Sequence, residues 1–184
     1  ALLILSPVFL VTALYIRLDS KGPIFFGQQR VGKHGKCFKM WKFRSMYFNA
    51  EEQKAALKKF HNLEREVRFK LRYDPRITPV GKIIRKYSLD ELPQLWNVLR
   101  GEMSLVGPRP PLICEVLHYN LYQLQRLDIK PGITCIWQVS GRSELPFQRQ
   151  VELDLEYIAT QSFLGDLMLI LKTIPAVLKG QGAW

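Results

Sequence analysis

The first sixteen residues, ALLILSPVFLVTALYI, carry no charge, and the first cation is Arg17. As a helix this run reaches about 24 Å. The hydrocarbon core of a bilayer is roughly 30 Å thick, so the run is too short to cross it. It does not read as a signal peptide either, because no basic segment precedes it and no small-residue cleavage site comes after it. Ser6-Pro7 lies inside it. Proline removes a backbone donor and crowds the preceding turn, so a kink or break is expected there. Two folds remain open for the run. One is a buried core helix. The other is a broken helix that enters one leaflet and returns, with Arg17 and Lys21 at the lipid headgroups.

The chain becomes strongly basic directly after this segment. It has 27 Lys+Arg against 16 Asp+Glu, a net charge of +11, and the excess lies wholly in residues 1–100. Residues 17–44 hold eight of these cations against Asp19 alone. A basic half implies an anionic partner: nucleic acid, anionic lipid or a phosphorylated substrate. Cys37, Cys114 and Cys135 are too few and too widely spaced for a disulfide scaffold or a CxxC site, and His34, His61 and His118 match no zinc spacing. A metal here is therefore expected to be a hard cation held by carboxylates.

The 184 residues fit one main domain. Residues 22–31 and 37–43 read as the strands of a hairpin around a GKHG turn. Leu57, Phe60, Leu63, Val67 and Leu71 recur at helical steps and predict a helix over 49–71, ended by Asp74-Pro75. A second helix is expected over 88–101, and a third over 112–126. Residues 104–111, with three prolines, are expected to be irregular. PGIT at 131–134 reads as a turn, 135–139 as a short extended run, and 147–179 as helix interrupted at Pro175.

The acidic pair Asp90-Glu91 carries the most chemical information. Pro93 lacks an N–H and suits a first helical turn, which places Asp90 at or just before a helix start. Free N–H groups and the helix dipole favour a carboxylate there. Such an Asp can bind Mg²⁺ or attack phosphorus, and Glu91, about 100° round the helix, is free for a separate role. The bland alternative is capping, since Ser88 and Glu91 match the S-x-x-E box. Around this pair stand Lys42 and Arg44 in WKFRSM, Arg85, and Arg109 held between prolines in GPRP. Separate cations with a preorganised guanidinium make a phosphoryl-transfer site plausible.

At these residues the chain resembles the bacterial sugar transferase family, monotopic phosphoglycosyl transferases that act on polyprenol phosphate. The matching stretches are SKGPIFFGQQRVGKHGKCFKMWKFRSM (20–46), DPRITPVGKIIRKYSLDELPQLWNVLRGEMSLVGPRPP (74–111) and KPGITCIWQVSGRS (130–143). The ending DLMLILKTIPAVLKGQGAW (166–184) resembles long members. The resemblance implies that Asp90 attacks the β-phosphate of a UDP-sugar, UMP leaves, and polyprenol (undecaprenyl) phosphate takes the sugar phosphate from a covalent Asp intermediate. Mg²⁺ would sit at Asp90 and Glu91. Lys42, Arg44, Arg85, Arg109, Gln138 and Arg142 would bind substrate. This is the first membrane step of exopolysaccharide, O-antigen or capsule assembly, at the cytoplasmic face of the bacterial inner membrane. Glucose and galactose are the leading sugars. Departures from the family pattern are Cys135, where many relatives have Gly, and the final GAW in place of GAY.

The expected fold is α+β and mostly α. Residues 1–19 would form a re-entrant helix broken at Ser6-Pro7, and residues 20–184 a catalytic domain with a small hairpin and amphipathic interfacial helices. Apolar residues in the last segment leave room for a homodimer. Two other functions fit parts of the sequence. One is a basic module for nucleic acid or lipid headgroups, which is disfavoured because the aromatics sit in apolar runs and form no stacking platform. The other is hydrolysis of a nucleotide sugar without a lipid acceptor.

Overall fold

The computed structural model describes residues 2–60, 71 and 73–180. Helix α1 runs over Leu2–Asp19 without interruption, with Pro7 inside it. The helix runs through Pro7, and the acceptor that Pro7 leaves open is filled locally. Pro7 has no N–H for the carbonyl of Leu3, and the hydroxyl of Ser6 donates to that same carbonyl at 2.8 Å. The lost backbone bond is replaced by a side chain one residue away. Helix α1 is apolar on every side. Phe9, Ala13 and Ile16 face the core, while Leu3, Ile4, Leu10 and Leu18 are each more than 70% exposed. No helix among the described residues is long and apolar enough to cross a membrane.

The hairpin forms as expected. Strands β1 (Phe25–Val31) and β2 (Cys37–Phe43) pair antiparallel with Phe25 opposite Phe43 and Val31 opposite Cys37. A 3-10 turn over Lys33–Gly35 joins them, with His34 and Gly35 both at positive φ. Side chains alternate along β2, so Phe38, Met40 and Lys42 share a face and Phe43 lies on the other. Phe38 and Met40 pack on Met103, while Phe43 packs on Ile16 and Ile84. The Phe43 ring lies 5.2 Å from both Phe9 and Phe25, which fixes α1 against the hairpin.

Helix α2 covers Ala50–Phe60, the first half of the expected 49–71 helix, and residues 61–70 and 72 lie outside the described part. Helix α3 (Pro79–Lys86) starts with Pro79 in its first turn, and the Thr78 hydroxyl accepts from Gly81 N at 2.9 Å. The Val80 N–H donates to Asp19, tying α3 to the end of α1.

The helix expected over 88–101 is split. Ser88 adopts a left-handed backbone (φ 51), Leu89–Glu91 form a 3-10 turn, and α4 occupies only Gln94–Leu99. The segment expected to be irregular contains β3 (Ser104–Val106), which pairs in parallel with β4 (Gly132–Thr134). Both strands have only three residues, too few to show a period. The region over 112–126 resolves into short helices α5 (Ile113–Val116) and α6 (Leu121–Leu124), with Asn120 capping the latter. Residues 136–140 are helical (α7, Ile136–Ser140) where an extended run was expected. Helices α8 (Phe147–Thr160) and α9 (Phe163–Lys179) are the last elements among the described residues, separated by a Ser162 cap, and Pro175 does not end α9.

Beneath α8 lies a buried ion pair. Arg126 Nη2 and Asp154 Oδ2 are 2.6 Å apart, both essentially without solvent contact, and Arg126 Nη1 also donates to Tyr119 Oη at 2.8 Å. The architecture is thus α+β and mostly helical, with two two-stranded sheets among the described residues.

Candidate active site

A cleft of about 1220 Å³ opens between the hairpin, the 3-10 turn of Asp90, the proline loop and α9. Its polar end gathers all the residues singled out in the sequence: Lys42, Arg44, Arg85, Asp90, Glu91, Arg109, Gln138 and Arg142 all line it. They come from separate segments, and each is held in place for its own reason.

Lys42 is the last member of the core-facing row of β2, where the sheet leaves the core and meets the 3-10 turn. Its Nζ lies 2.6 Å from Glu91 Oε1, a charge-assisted hydrogen bond with both side chains largely shielded. Glu91 is therefore not the return partner of a capping box, and Ser88, left-handed, makes no side-chain cap. Burial alone would raise the Glu91 pKa. Lys42 and Arg109, with the Lys42 hydrogen bond and Arg30, outweigh burial and hold the carboxyl well below its ordinary value.

Asp90 differs from its neighbour. It is 8% exposed and makes no ion pair among the described residues. Burial pushes its pKa up, opposed by Lys42, reinforced by Glu91 and opposed again by Arg85 and Arg109, and the result is about 6. Two adjacent carboxyls thus have pKa values driven apart, a pattern that separates roles in catalytic sites. Asp90 is the more basic group yet still ionised at neutral pH, which suits a nucleophile.

Arg109 projects from a loop fastened on both sides. Gly107 N donates to Thr134 O at 2.9 Å, Gly132 N to Pro108 O at 2.9 Å, and Val31 N to Pro111 O at 3.0 Å. Arg30, itself buried, donates from Nη1 to Pro110 O at 3.0 Å. Gly107 (φ 157) permits the close crossing of β4, since a Cβ there would come within 2.6 Å of Lys130 O. The loop is thus rigid through its main chain, and the guanidinium is preorganised. The β3–β4 pair and Arg30, neither visible in the sequence as functional, supply this support.

Arg85 lies in the last turn of α3. Arg142 comes just after α7 at positive φ, close enough to Glu91 to feel its charge, and burial lowers its pKa. Arg44 belongs to the cleft lining, but its guanidinium is engaged at the end of α1. Its guanidinium donates to the carbonyls of Lys21 and, at 2.7 Å, Ser20, closing the C-terminal end of α1. Gln138 on α7 accepts a hydrogen bond from the Cys135 thiol. Arg76 also lines the cleft, paired with Asp74 at 2.6 Å, and sequence reasoning missed it although the DPR triplet opens the 74–111 stretch.

Among the described residues no three His, Cys, Asp or Glu side chains converge as a metal cage. The two carboxylates do fit Mg²⁺, which takes one or two carboxylates and completes its shell with water and substrate phosphates.

The cleft also has an apolar lining, which includes Leu5 of α1 and Ile170, Ile174 and Leu178 of α9. A cationic, carboxylate-bearing end and a greasy wall in one cavity suit a phosphate ester joined to a hydrocarbon.

The family model described as bacterial sugar transferase matches residues 1–180. The chain belongs to the bacterial sugar transferase family. Among curated members, it is 49% identical over 183 residues to the galactosyl transferase CpsE of Streptococcus agalactiae, covering 99% of this chain and 40% of that protein. It is 44% identical to the undecaprenyl-phosphate galactose phosphotransferase of Salmonella typhimurium, covering 100% of this chain and 39% of the relative. Identity to the exopolysaccharide production protein ExoY of Rhizobium meliloti is 40%, over 100% of this chain and 83% of that one. The chain therefore spans about two fifths of some members of the sugar transferase family and most of others.

Proposed function

We propose that this chain transfers a hexose 1-phosphate from a UDP-sugar to undecaprenyl phosphate and releases UMP. The observation that carries the reading is Asp90: a buried carboxylate at the floor of a cationic cleft, its pKa pushed to about 6 while Glu91 beside it stays ionised. The names of the relatives supply the acceptor.

In this reading an Asp90 carboxylate oxygen bonds to the β-phosphorus of the nucleotide sugar. The bond from that phosphorus to the bridging oxygen breaks, and UMP leaves with the electron pair. A phosphate oxygen of the lipid acceptor then bonds to the same phosphorus, and the bond to Asp90 breaks, restoring the carboxylate. Lys42, Arg85 and Arg109 offset the charge on the diphosphate. Arg109, fastened through Pro110 and Arg30, keeps its position through both halves of the reaction. Lys42 also holds Glu91 away from Asp90's role as nucleophile. Asp90 and Glu91 would hold Mg²⁺, whose positive charge would help offset that of the diphosphate.

The apolar wall would hold the isoprenoid chain. Helices α1 and α9, which supply that wall, also carry exposed apolar side chains, among them Leu10, Leu18, Phe163 and Leu167. Such surface has no place in water and suits the acyl region of one leaflet, with α1 dipping into it from the cytoplasmic side.

The test is a two-phase assay with UDP-glucose or UDP-galactose, undecaprenyl phosphate and Mg²⁺. Sugar label must pass to the organic phase as UMP appears, and Asp90→Asn must stop both. Label that stays in water as free sugar phosphate would replace transfer by hydrolysis.

A further inference from the structure

Gln138 faces the cleft beside Glu91 and Arg109, yet a carboxamide can present either its oxygen or its nitrogen to a ligand. In this fold one end is already taken. Cys135, fully buried at the start of α7, lies one turn before Gln138, and its Sγ is 3.1 Å from Gln138 Oε1. A thiol has one proton to give and is a weak acceptor, so the oxygen end of the amide turns to the sulfur. The opposite end, Nε2, has no hydrogen-bond partner among the described residues and is not one of their buried unpartnered atoms, so it is open to the cleft that Gln138 lines. Burial first, and the nearby Asp154 carboxylate second, push the Cys135 pKa well up, so the sulfur keeps the proton this arrangement needs.

We propose that Cys135 is a positioning residue, whose buried thiol holds the Gln138 carboxamide with both N–H groups turned into the cleft to donate to a non-reacting oxygen of the nucleotide sugar. The proposal rests on the transferase reading for the identity of that ligand, but not for the thiol–amide bond. Arg109 and Lys42 supply charge, whereas a carboxamide supplies direction. A contact to an oxygen that does not change during the reaction is made equally in the ground and transition states, so it belongs in KM and leaves kcat alone.

Two measurements test this separately. In a Cys37→Ser, Cys114→Ser background the infrared S–H stretch reports Cys135 alone. Gln138→Leu should move that band to higher wavenumber, as the hydrogen bond is lost. An unmoved band overturns the positioning role whatever the protein catalyses. Kinetically, Cys135→Ala should raise KM for the UDP-sugar about 3- to 10-fold, the range of one neutral hydrogen bond, with kcat unchanged. Cys135→Ser, which keeps a donor of similar shape, should restore KM. Gln138→Ala should match Cys135→Ala, and the double variant should be no worse than Gln138→Ala. Additive effects on KM, or a Cys135→Ala variant that lowers only the melting temperature, would overturn the proposal. A wild-type protein that releases no UMP from any UDP-sugar would instead overturn the transferase reading, with the infrared result standing on its own.

Discussion

Asp90→Asn should destroy activity and yet make the protein more stable, and the gain should depend on pH in a defined way. The ordinary Asp value of 3.8 and the folded value of about 6 bracket the window. Between them the folded protein holds a proton on Asp90 that the unfolded chain has released, so stability falls as pH rises through that range. Above it the loss is complete. At about 1.4 kcal/mol per pH unit, the ionised Asp90 costs about 3 kcal/mol at pH 8. Asparagine has nearly the same shape and no charge to desolvate. It should therefore recover up to about 3 kcal/mol at pH 8 and little below about pH 4. For a domain of this size that is about 6–12 °C in Tm. The assay is thermal unfolding of both proteins in one detergent at pH 4, 6 and 8. A variant less stable than the parent at pH 8 would refute the reasoning, as would a gain of equal size at every pH. Either result would mean that the surroundings of Asp90 are built to hold its charge, and that the charge is not strained.

The same geometry sets three other expectations. Glu91→Gln removes a like charge next to Asp90, so the acid limb of kcat/KM against pH should move below 6, and an unmoved limb would deny the coupling. Gly107→Ala places a Cβ 2.6 Å from Lys130 O in a backbone region that disfavours L-residues, so the Arg109 loop must shift; kcat/KM should fall at least tenfold while α-helical circular dichroism is kept. Arg126→Met strips the counter-charge from Asp154, which has no solvent contact, and should cost about 3–5 kcal/mol in stability; adding Asp154→Leu should recover most of it in the same unfolding assay.

Much of this was readable in the chain because short-range chemistry decides it. The hairpin came from two β-rich runs around a turn, and Arg109's rigidity from its flanking prolines. Asp90 was legible because Pro93 limits where a helix can begin. The features that escaped depend on contacts between distant segments or on one side chain standing in for backbone. Helix α1 runs on through Pro7, with the Ser6 hydroxyl on the carbonyl that Pro7 leaves open. The parallel β3–β4 pair joins residues nearly thirty positions apart through three-residue strands. Ser88 and Glu91 spell a capping box, but Lys42, brought in by the hairpin, claims the glutamate. Arg44 sits in the same basic run as Lys42, and only the end of α1 reveals that its Nη atoms donate to carbonyls there.

The central claim is that Asp90 becomes covalently bonded to the sugar phosphate. The protein should be mixed with UDP-sugar and Mg²⁺ without lipid acceptor, quenched, and measured by intact-mass spectrometry with peptide mapping. The account predicts one hexose phosphate ester on Asp90, with one UMP released per site, and its discharge when undecaprenyl phosphate is added. Lipid-linked product formed at full rate with no adduct and no UMP burst would contradict it, and would show direct transfer between the two substrates.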